Sequence, residues 1–394
     1  MPLKTFPGGT HPPASKSFSE NKAFVRVDAP ETLSFPVSMH IGAPARVCVK
    51  KGDPVKIGTV LAEAGGFVSV PVHSSVSGKV LKIEKRPNCL GMICDTVVVE
   101  NDFEDATEQD IGTKREVSGL APKDIINLVQ EAGIAGMGGA TFPTHVKLSP
   151  PKDKPIDTLI INGVECEPYL TCDDRLMREK PEEILEGARL IARAVSAKEI
   201  VVGIEANKPE AFEKIKEVSG NDIRVEQLEV KYPQGAEKQL IFALIGREVP
   251  SGGLPMDAGA LVDNVGTCRA VYRACRYGEP LFSRTLTVTG EDVLEPGNFF
   301  VRIGTPVDFL LKKAKLKKQA ERIILGGPMM GLAQFDPSVP VVKGTSGILV
   351  LPGKPETAFG PCIRCGRCVE GCPVNLVPSL ISTVAEAQNE DVYD

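Results

Sequence analysis

The sequence lacks the features that mark an exported or a membrane-spanning chain. No apolar run is long enough to cross a bilayer, and the opening residues, MPLKTFPGGTHPP, contain no apolar core of a signal peptide. The net charge of −5 gives no sign of the basic surface that nucleic acid requires. We therefore expect a cytoplasmic protein that binds no nucleic acid, and any link to a membrane must come through a partner.

The composition indicates several folded domains. A chain of 394 residues exceeds what one hydrophobic core normally organises, so about two to four domains are expected. Its 42% hydrophobic and 25% charged residues are ordinary for a globular protein. The 38 glycines and 32 prolines indicate many tight turns and connecting loops.

The eleven cysteines separate into a cluster and a scattered set. In a chain without an export signal they are expected to be reduced thiols or metal ligands, and disulfides are not expected. The scattered cysteines are flanked mostly by apolar residues or small turns, so each is interpreted as a buried, inert thiol. They are Cys48, Cys89, Cys94, Cys166, Cys172, Cys268 and Cys275.

Short strands predict a β module over residues 31–111, after a lead-in over residues 1–30 that is rich in proline, glycine and serine. The strand segments are ARVCV, PVKIGTVLA, FVSVPV, GKVLKIE and DTVVVE, separated by turn signals. The patterns V-x-x-G-D-x-V and S-G-x-V resemble the barrel-sandwich fold of biotinyl and lipoyl domains. Those carriers hold a modifiable lysine at a hairpin tip, whereas the matching hairpin here, EAGGF at residues 63–67, has none. We therefore interpret the module as a scaffold.

Apolar strands that alternate with helices predict a parallel sheet over residues 112–283. A helix opens at Pro122 and ends before Gly133. DTLIINGVE, EIVVGIE and IRVEQLEV then predict strands, with helical segments between them. Helices cover both faces of such a Rossmann-like sheet, and ligands lie beyond the carboxyl ends of its strands. Residues 162–167 and 232–237 follow strands and are therefore expected to line a ligand site.

A glycine-rich turn, GIAGMGGATFPTHVK at residues 133–147, follows the first of these helices. Glycine leaves backbone N–H groups uncovered, and a run of such groups forms a concave site for an anion such as phosphate. Phe142 offers an aromatic face, and Lys147 offers a positive charge. A mobile surface loop is the alternative interpretation, because a glycine-rich run alone is a weak signal.

The remaining chain predicts a small β module, a linker and a metal-binding segment. TLTVTG, NFFVRIGTPV, DFLLKKAK and ERIILGGPMMG indicate strands and one helix over residues 284–336, which predicts a β-grasp (SLBB-like) module. Residues 337–355 are interpreted as a linker. Residues 356–394 are predicted to form a helical, ferredoxin-type segment.

Four cysteines in this last segment are spaced C-x2-C-x2-C-x3-C-P, the run of a ferredoxin-type [4Fe-4S] site. They are Cys362, Cys365, Cys368 and Cys372. Soft thiolates suit iron–sulfur iron, whereas structural zinc, the alternative, usually separates its cysteine pairs by a longer loop. In two-cluster ferredoxins the fourth cysteine serves the other cluster, and this sequence has no second run. Either a further C-terminal part carries the partner run, which we favour, or Cys372 or an outlying cysteine closes the first cluster.

Several motifs resemble, in the same order, the FMN- and NADH-binding subunit of respiratory complex I. The glycine-rich turn is similar to that family's G-R-G-G-A-G-F-P-T-G-x-K, and NGVECEP at residues 162–168 is similar to its N-A-D-E-G-E-P. YPQGAE at residues 232–237 resembles its Y-I-C-G-E-E, and VDNVGT at residues 262–267 resembles its V-N-N-V-E-T. GGTHPP, HIGAPARVCVKKGDPVK, GGPMMG and the cysteine run extend the resemblance over almost the whole chain, to the C subunits of Rnf electron transport complexes.

The resemblance to the Rnf family implies an electron-transfer subunit with FMN, NAD(H) and, in full-length members, two [4Fe-4S] clusters. It implies hydride transfer between NADH and FMN, followed by single-electron exchange with the clusters. The implied partners are the other subunits of a membrane-bound ferredoxin:NAD oxidoreductase coupled to ion translocation, with ferredoxin reached indirectly. The implied location is peripheral, on the cytoplasmic face of the cell membrane.

The same resemblance assigns roles to residues by their position in the motifs. Glu165 and Glu167 are the implied catalytic residues, beside the flavin and the nicotinamide. The implied cofactor-binding residues are Gly136, Met137, Gly138, Gly139, Phe142, Lys147, Asn162, Glu165, Glu167, Tyr232, Gly235, Glu237, Asp263, Asn264 and Thr267. Three positions depart from the family pattern. Of the acidic pair in Y-I-C-G-E-E, only Glu237 is present. Met137 stands where the family has arginine, which removes one expected phosphate contact, and Val164 stands where it has a second acid.

Two other functions stay open from the sequence. Cobalamin reductases of bacterial microcompartments resemble the same subunit and reduce a corrin in place of feeding a membrane chain. A scaffold that carries zinc and has lost its flavin site is the non-enzymatic alternative. Reduction of cobalamin by the isolated protein would favour the first, and a colourless preparation that contains zinc would favour the second.

Overall fold

The computed structural model describes residues 3–353 and 362–386. Residues 1–2, 354–361 and 387–394, which include parts of the predicted lead-in, linker and ferredoxin-type segment, lie outside the described residues.

The described chain combines two β-rich regions with one α/β region and a short helical segment that carries the clustered cysteines. Its strands are β1 (Phe24–Arg26), β2 (Thr32–Pro36), β3 (Arg46–Val47), β4 (Pro54–Val55), β5 (Val60–Glu63), β6 (Val72–His73), β7 (Gly78–Pro87), β8 (Ile93–Asn101), β9 (Thr158–Gly163), β10 (Glu199–Glu205), β11 (Ile223–Leu228), β12 (Ala260–Asn264), β13 (Ser283–Thr289), β14 (Gly297–Arg302), β15 (Arg322–Leu325), β16 (Leu332–Gln334) and β17 (Gly347–Leu351). Its helices are α1 (Pro122–Glu131), α2 (Thr144–Lys147), α3 (Cys172–Glu179), α4 (Pro181–Val195), α5 (Pro209–Val218), α6 (Glu237–Ile245), α7 (Val265–Tyr277), α8 (Val307–Ala314), α9 (Arg367–Glu370) and α10 (Pro378–Glu386). None of these helices has the length and apolar character that a bilayer crossing requires.

Two antiparallel sheets form the predicted β module. One has the strand order β2-β8-β7-β4, and the other has the order β3-β5-β6. Strands β2 and β8 pair with Leu33 opposite Val99 and Phe35 opposite Val97, and all four of these side chains are fully buried. Because successive side chains of a strand point to opposite faces, this spacing places one face of the sheet in the core.

The predicted parallel sheet is present, with strand order β11-β10-β9-β12 and parallel pairing throughout. Ile160 and Val201 pack with α6 on one face of the sheet, whereas Ile161 and Val202 pack with α4 and α7 on the other. The inner strands β9 and β10 are mostly apolar on both sides because helices cover both faces. All four strands end at one edge, which we call the carboxyl edge, so the loops that follow β9, β11 and β12 meet there.

A six-stranded mixed sheet occupies the predicted β-grasp region and extends beyond it. Its strand order is β1-β14-β13-β17-β15-β16. Strand β17 lies between β13 and β15 and is almost entirely buried, so the prediction of a linker over residues 337–355 is wrong. The apolar run GILVL forms an inner strand of the sheet, and the glycines and prolines around it obscured that signal. From the predicted lead-in, β1 pairs in parallel with β14 at the edge of the same sheet.

The cysteine-bearing segment is attached to the N-terminal residues. Gly9 donates its N–H to the carbonyl of Gly371 at 2.8 Å, next to Cys372. Thr10 and Tyr232 exchange backbone hydrogen bonds, each of 2.8 Å. Residues 8–10 therefore connect the cysteine segment with the loop that follows β11.

The scattered cysteines occupy different environments. Cys94, Cys172, Cys268 and Cys275 are buried, Cys89 and Cys166 are partly buried, and Cys48 is exposed. The interpretation as a buried thiol is therefore wrong for Cys48. Burial raises the pKa of Cys166 to about 11 and the pKa of Cys275 to about 12, so both thiols stay protonated at neutral pH.

Lys343, in the stretch that leads into β17, joins two parts of the chain. The residue is 1% exposed. Its Nζ donates to the carbonyls of Pro71, in the β module, and Gly133, at the start of the glycine-rich turn, at 2.6 Å each. Burial lowers the pKa of Lys343 to about 7, because an ammonium group is costly away from water.

We expect Lys343 to make the stability of the folded chain depend on pH. Its folded pKa of about 7 lies below the value of about 10.4 for an unfolded lysine, so the unfolded chain binds more protons between these values. Stability should therefore rise as the pH increases from about 7 to about 10. In thermal melts, the wild type should gain stability relative to Lys343→Met over this range, because the variant lacks the titrating amine.

Lys312→Met is the matched control, because Lys312 is 76% exposed on α8, and this variant should melt with the pH dependence of the wild type. A difference between the wild type and Lys343→Met that stays constant over the range would contradict the assignment.

Candidate functional site

The glycine-rich turn forms a short closed loop with an open tip. The N–H of Gly136 donates to the carbonyl of the partly buried Phe142 at 2.7 Å, which closes the loop before α2. Gly138 has a φ of +77°, a left-handed conformation that glycine adopts without strain. A Cβ at Gly138 would lie 2.7 Å from Nδ2 of Asn264, whereas Gly139 faces open space. The tip therefore presents the amides of two residues without side chains, Gly138 against Asn264 and Gly139 towards open space.

The amino end of α7 contacts this turn. Asn264 caps the helix: its Oδ1 accepts from the N–H of Gly266 at 2.7 Å, and its Nδ2 donates to Asp173 at 2.6 Å. Oγ1 of Thr267 accepts from the N–H of Met137 at 2.9 Å. The first turn of α7 contains no acidic residue. The positive end of the helix dipole therefore faces the turn without a carboxylate from the helix itself.

Lys147, at the end of α2, is held by two carboxylates. Its Nζ lies 3.0 Å from Oε1 of Glu237 and 3.5 Å from Oδ1 of Asp263, and it also donates to the carbonyl of Val262. Burial alone would lower the pKa of Lys147, but Asp263 and Glu237 outweigh this effect, and the net pKa is raised. Burial raises the pKa of Asp263, against the attraction of Lys147. The charge of Lys147 is balanced within the protein, and its contact with a cofactor stays a prediction.

Asn162 joins the two loops that the sequence places at the carboxyl edge. Its Nδ2 donates to the carbonyl of Gly235 at 2.8 Å, and its Oδ1 accepts from the N–H of Val164 at 3.1 Å. Residues 162–167 and 232–237 therefore lie side by side, as expected for loops that follow strands of one parallel sheet.

Glu165 is buried and caps the amino end of α3. Its side chain is 4% exposed, and its carboxylate accepts from the N–H groups of Asp173 at 2.7 Å and Asp174 at 3.3 Å. Burial raises the pKa of Glu165, and Lys16 opposes the shift. The backbone of Glu165 has a φ of +49°, which is unfavourable for a residue with a Cβ. These bonds hold the loop in that conformation.

Glu167 contacts the GGPMMG loop. Its two carboxylate oxygens accept from the N–H groups of Met329 at 3.1 Å and Met330 at 2.8 Å. Burial raises the pKa of Glu167, and burial also raises the pKa of the partly buried Tyr232 to about 12. Since backbone amides hold the carboxylate of Glu167, its contact with a ribose or a nicotinamide stays a prediction.

Two residues at this edge were not predicted from the sequence. Nζ of Lys16 donates to the carbonyls of Glu165, Glu167 and Leu170 at 2.9, 3.0 and 2.5 Å, so it fixes the loop that follows β9. Asp173 accepts from the cap of α7, and burial raises its pKa. An acid at the start of a helix just after NGVECEP is a signal that could have identified Asp173. Nothing near Lys16 in the sequence marks its role.

Several buried polar atoms at the carboxyl edge have no hydrogen-bond partner within the described residues. Both Nε2 and Oε1 of Gln234 lack one although the residue is fully buried, and so does Oδ2 of Asp263. Buried polar atoms are normally hydrogen-bonded, so these atoms fit a ligand that offers both donors and acceptors. FMN offers N–H and C=O groups on its ring and an anion at its phosphate. The donors, the acceptors and the open turn therefore fit this cofactor.

The clustered cysteines present accessible thiols beside the same edge. Cys362, Cys365 and Cys368 are exposed, and Cys372 is partly buried. The N–H of Arg364 lies 3.4 Å from Sγ of Cys362, and the N–H of Leu376 lies 3.3 Å from Sγ of Cys372. Amide hydrogen bonds to sulfur tune iron–sulfur clusters, so the donor set and its surroundings fit such a group.

Known domain families match three parts of the chain. The barrel sandwich hybrid domain of RnfC matches residues 4–104, the Nuo51 FMN-binding domain matches residues 129–273, and the SLBB domain matches residues 285–333. These matches confirm the barrel-sandwich and SLBB-like modules. They also place the glycine-rich turn and the start of α7 in a segment similar to an FMN-binding domain.

Curated relatives align with nearly the whole chain. The C subunit of the proton-translocating ferredoxin:NAD(+) oxidoreductase complex of Clostridium ljungdahlii is 45% identical, over 99% of this chain and 86% of that protein. Its counterpart in the Na(+)-translocating complex of Acetobacterium woodii is 44% identical, over 99% of this chain and 88% of that protein. The counterpart in the ion-translocating oxidoreductase complex of Rhodobacter capsulatus is 43% identical, over 96% of this chain and 74% of that protein.

Among solved structures, an NAD+-reducing [NiFe]-hydrogenase in the air-oxidized state is similar in fold, with a TM-score of 0.54 and 22% identity. The likeness covers 68% of this chain and 53% of that chain, and at this identity it concerns the fold alone. The high identity of the curated relatives, over almost all of the sequence, decides the family. This chain belongs to the RnfC family, the C subunits of ion-translocating ferredoxin:NAD(+) oxidoreductase complexes.

Proposed function

We propose that this chain is the NADH- and FMN-binding electron-transfer subunit of a membrane-bound ferredoxin:NAD oxidoreductase complex coupled to ion translocation. The main support is that several groups suited to binding FMN lie together at the carboxyl edge of the parallel sheet. The uncovered amides of Gly138 and Gly139, the amino end of α7 and the orphaned atoms of Gln234 and Asp263 all lie there. This convergence falls within the match to an FMN-binding domain, in a member of the RnfC family.

In this proposal the phosphate end and the ring end of FMN meet different residues. The amides of Gly138 and Gly139, with Asn264 and Thr267, hold the phosphate end, because uncovered N–H groups and a helix amino terminus favour an anion. Gly136 and Met137 line the same end with their backbone, since their N–H groups already bond to Phe142 and Thr267. Asn162 and Gly235 line the ring end with the orphaned amide of Gln234. When bound, FMN links the two-electron chemistry of nicotinamide with the one-electron chemistry of iron–sulfur clusters.

Two acids, the buried Glu165 and the partly buried Glu167, shape the nicotinamide side of the proposed site. We assign Glu165 and Glu167 to that side, with Phe142 as the aromatic face for the nucleotide. Burial raises the pKa of both acids, so each retains its proton to a higher pH than an exposed carboxyl group does. Lys16 fixes the loop that carries them by bonding to three of its carbonyls.

The cysteine run completes the proposed electron-transfer unit. We assign Cys362, Cys365, Cys368 and Cys372 to [4Fe-4S] binding in a ferredoxin-type segment, beside a sheet that we take to be Rossmann-like. Hydrogen bonds through residues 8–10 reach both Gly371 and Tyr232, which supports a short path between cluster and flavin. The proposed partners are the other subunits of the complex, which would hold the chain at the cytoplasmic face of the membrane.

An anaerobic titration with NADH tests this function directly. The purified protein loaded with FMN should lose its visible flavin absorbance as NADH is added, because the bound flavin accepts the hydride. NADPH at the same concentrations measures the selectivity of the nucleotide site. A flavin that is bound and whose absorbance does not change under NADH would count against the proposal.

Gly138→Ala should weaken FMN binding about tenfold or more. The added Cβ would lie 2.7 Å from Nδ2 of Asn264 and would disturb the cap of α7. Gly91→Ala is a matched control, because Gly91 has almost the same φ, +76°, with open space around it and lies in the β module. Flavin fluorescence quenching measures both affinities. If both variants lost FMN affinity equally, the loss would come from backbone strain and would not support FMN binding at the glycine-rich turn.

Cys365→Ala should greatly reduce the iron and acid-labile sulfide that the reconstituted protein retains, because it removes a central thiolate of the run. Cys48→Ala is the matched control, since Cys48 is also exposed but lies in the β module. FMN affinity should be unchanged in both variants, which shows that the fold is intact. Iron content in Cys365→Ala equal to that of the wild type, or zinc in its place, would refute the cluster assignment.

A further inference from the structure

Arg284, near the start of β13, is a buried cation with no carboxylate at ion-pair distance in the described part of the chain. The residue is 4% exposed. Its Nε donates to the carbonyl of Thr345 at 3.1 Å, and its Nη1 contacts Sδ of Met137 in the glycine-rich turn. A thioether sulfur is a weak acceptor, whereas a guanidinium has five N–H donors. Arg284 is therefore poorly satisfied by the protein alone.

Several other cations around this region have acidic partners. Lys147 pairs with Glu237 and Asp263, Arg269 with Glu183, Arg273 with Glu183 and Glu279, and Arg302 with Asp105. Burial lowers the pKa of Arg284, and Cys172 and Asp173 oppose the shift. The carboxylate of Asp173 instead accepts from Asn264. Because a buried charge is costly unless it is paired, Arg284 is suited to an anion from outside the chain.

The position of Arg284 brings this charge to the amino end of α7. A Cβ on Gly266, in the first turn of that helix, would lie 3.6 Å from Nη1 of Arg284 and 3.2 Å from Sδ of Met137. A cavity of about 530 Å³ reaches Met137, Gly266 and Arg284, and its size is within the usual range for small-molecule sites. An anion can therefore approach the guanidinium and the helix terminus together. Among the described residues, the sulfur of Met137 is the one hydrogen-bond acceptor that it would displace at Nη1.

We propose that Arg284 binds the phosphate of FMN and makes the site prefer FMN over riboflavin, which has the same ring without the phosphate. The proposal rests on the flavin-binding function proposed above and adds a specificity-determining residue from the mixed sheet. A planar guanidinium matches phosphate oxygens with parallel hydrogen bonds. Lys147 is less suited to this role, because two carboxylates already balance its charge.

Binding of FMN and of riboflavin, each followed by quenching of flavin fluorescence, tests the proposal. The wild type should bind FMN about 10- to 100-fold more tightly than riboflavin, as expected for hydrogen bonds between charged groups. Arg284→Met should lose most of this preference, with the riboflavin affinity unchanged. Arg284→Lys, which retains the charge without the planar fork, should show an intermediate preference. Arg269→Met, which removes a cation that lines the same cavity and pairs with Glu183, should keep the wild-type preference.

The outcomes separate this proposal from the function on which it rests. If the wild type binds neither flavin, the flavin function itself fails. If the wild type prefers FMN and Arg284→Met retains the same preference, the role of Arg284 is overturned and the flavin function stands. If Arg284→Met does not fold, Arg284→Lys decides: reduced FMN affinity with unchanged riboflavin affinity supports the role, and an unchanged ratio overturns it.

Discussion

Backbone N–H groups crowd the carboxyl edge of the parallel sheet, and each buried one needs a partner. Helices α3, α6 and α7 all begin at this edge. Glu165 receives the first amides of α3, and Glu237 lies in the first turn of α6, where a negative charge is favourable. Helix α7 has only an uncharged cap, Asn264. An anionic group at the amino end of α7 would give this third helix the negative charge that the other two already have. This is the physical reason to place a phosphate there.

The N-terminal residues hold this edge together, although their composition suggests only a lead-in. Lys16 places an ammonium among three carbonyls of the loop after β9, and Thr10 extends the loop after β11 by backbone bonds to Tyr232. Gly9 bonds to Gly371, beside the last cysteine of the run. One segment therefore contacts both predicted cofactor regions. A shift of the cysteine segment would be transmitted to the flavin loops through these few hydrogen bonds.

The sequence was sufficient to predict the parts of the site that follow from local patterns. Asn162 and Asn264 lie opposite each other near the carboxyl ends of two paired strands, so the topology of the sheet alone brings them together. The glycine-rich turn is then expected to pack against the same edge of the sheet. The contributions of Lys16 and Arg284 could not be predicted, because each depends on a contact between residues far apart in the chain. Strand β17 was missed for a related reason. An apolar run of five residues does not show which sheet it will join, and its parallel pairing with β13 spans some sixty residues of chain.

Arg284 belongs to the mixed sheet, whereas the glycine-rich turn belongs to the parallel-sheet region. A cofactor that binds to both therefore binds at the junction between these two regions. A ligand that bonds to both sides stabilises the junction by its binding free energy, and by linkage a loosened junction weakens binding equally. The stretch before β17 then contributes to cofactor binding. Thr345 accepts from Nε of Arg284, and Lys343 ties the same stretch to Gly133 at the start of the glycine-rich turn. Both bonds fix the distance between the guanidinium and the turn, so residues that resemble a linker in sequence help to set the affinity for the phosphate.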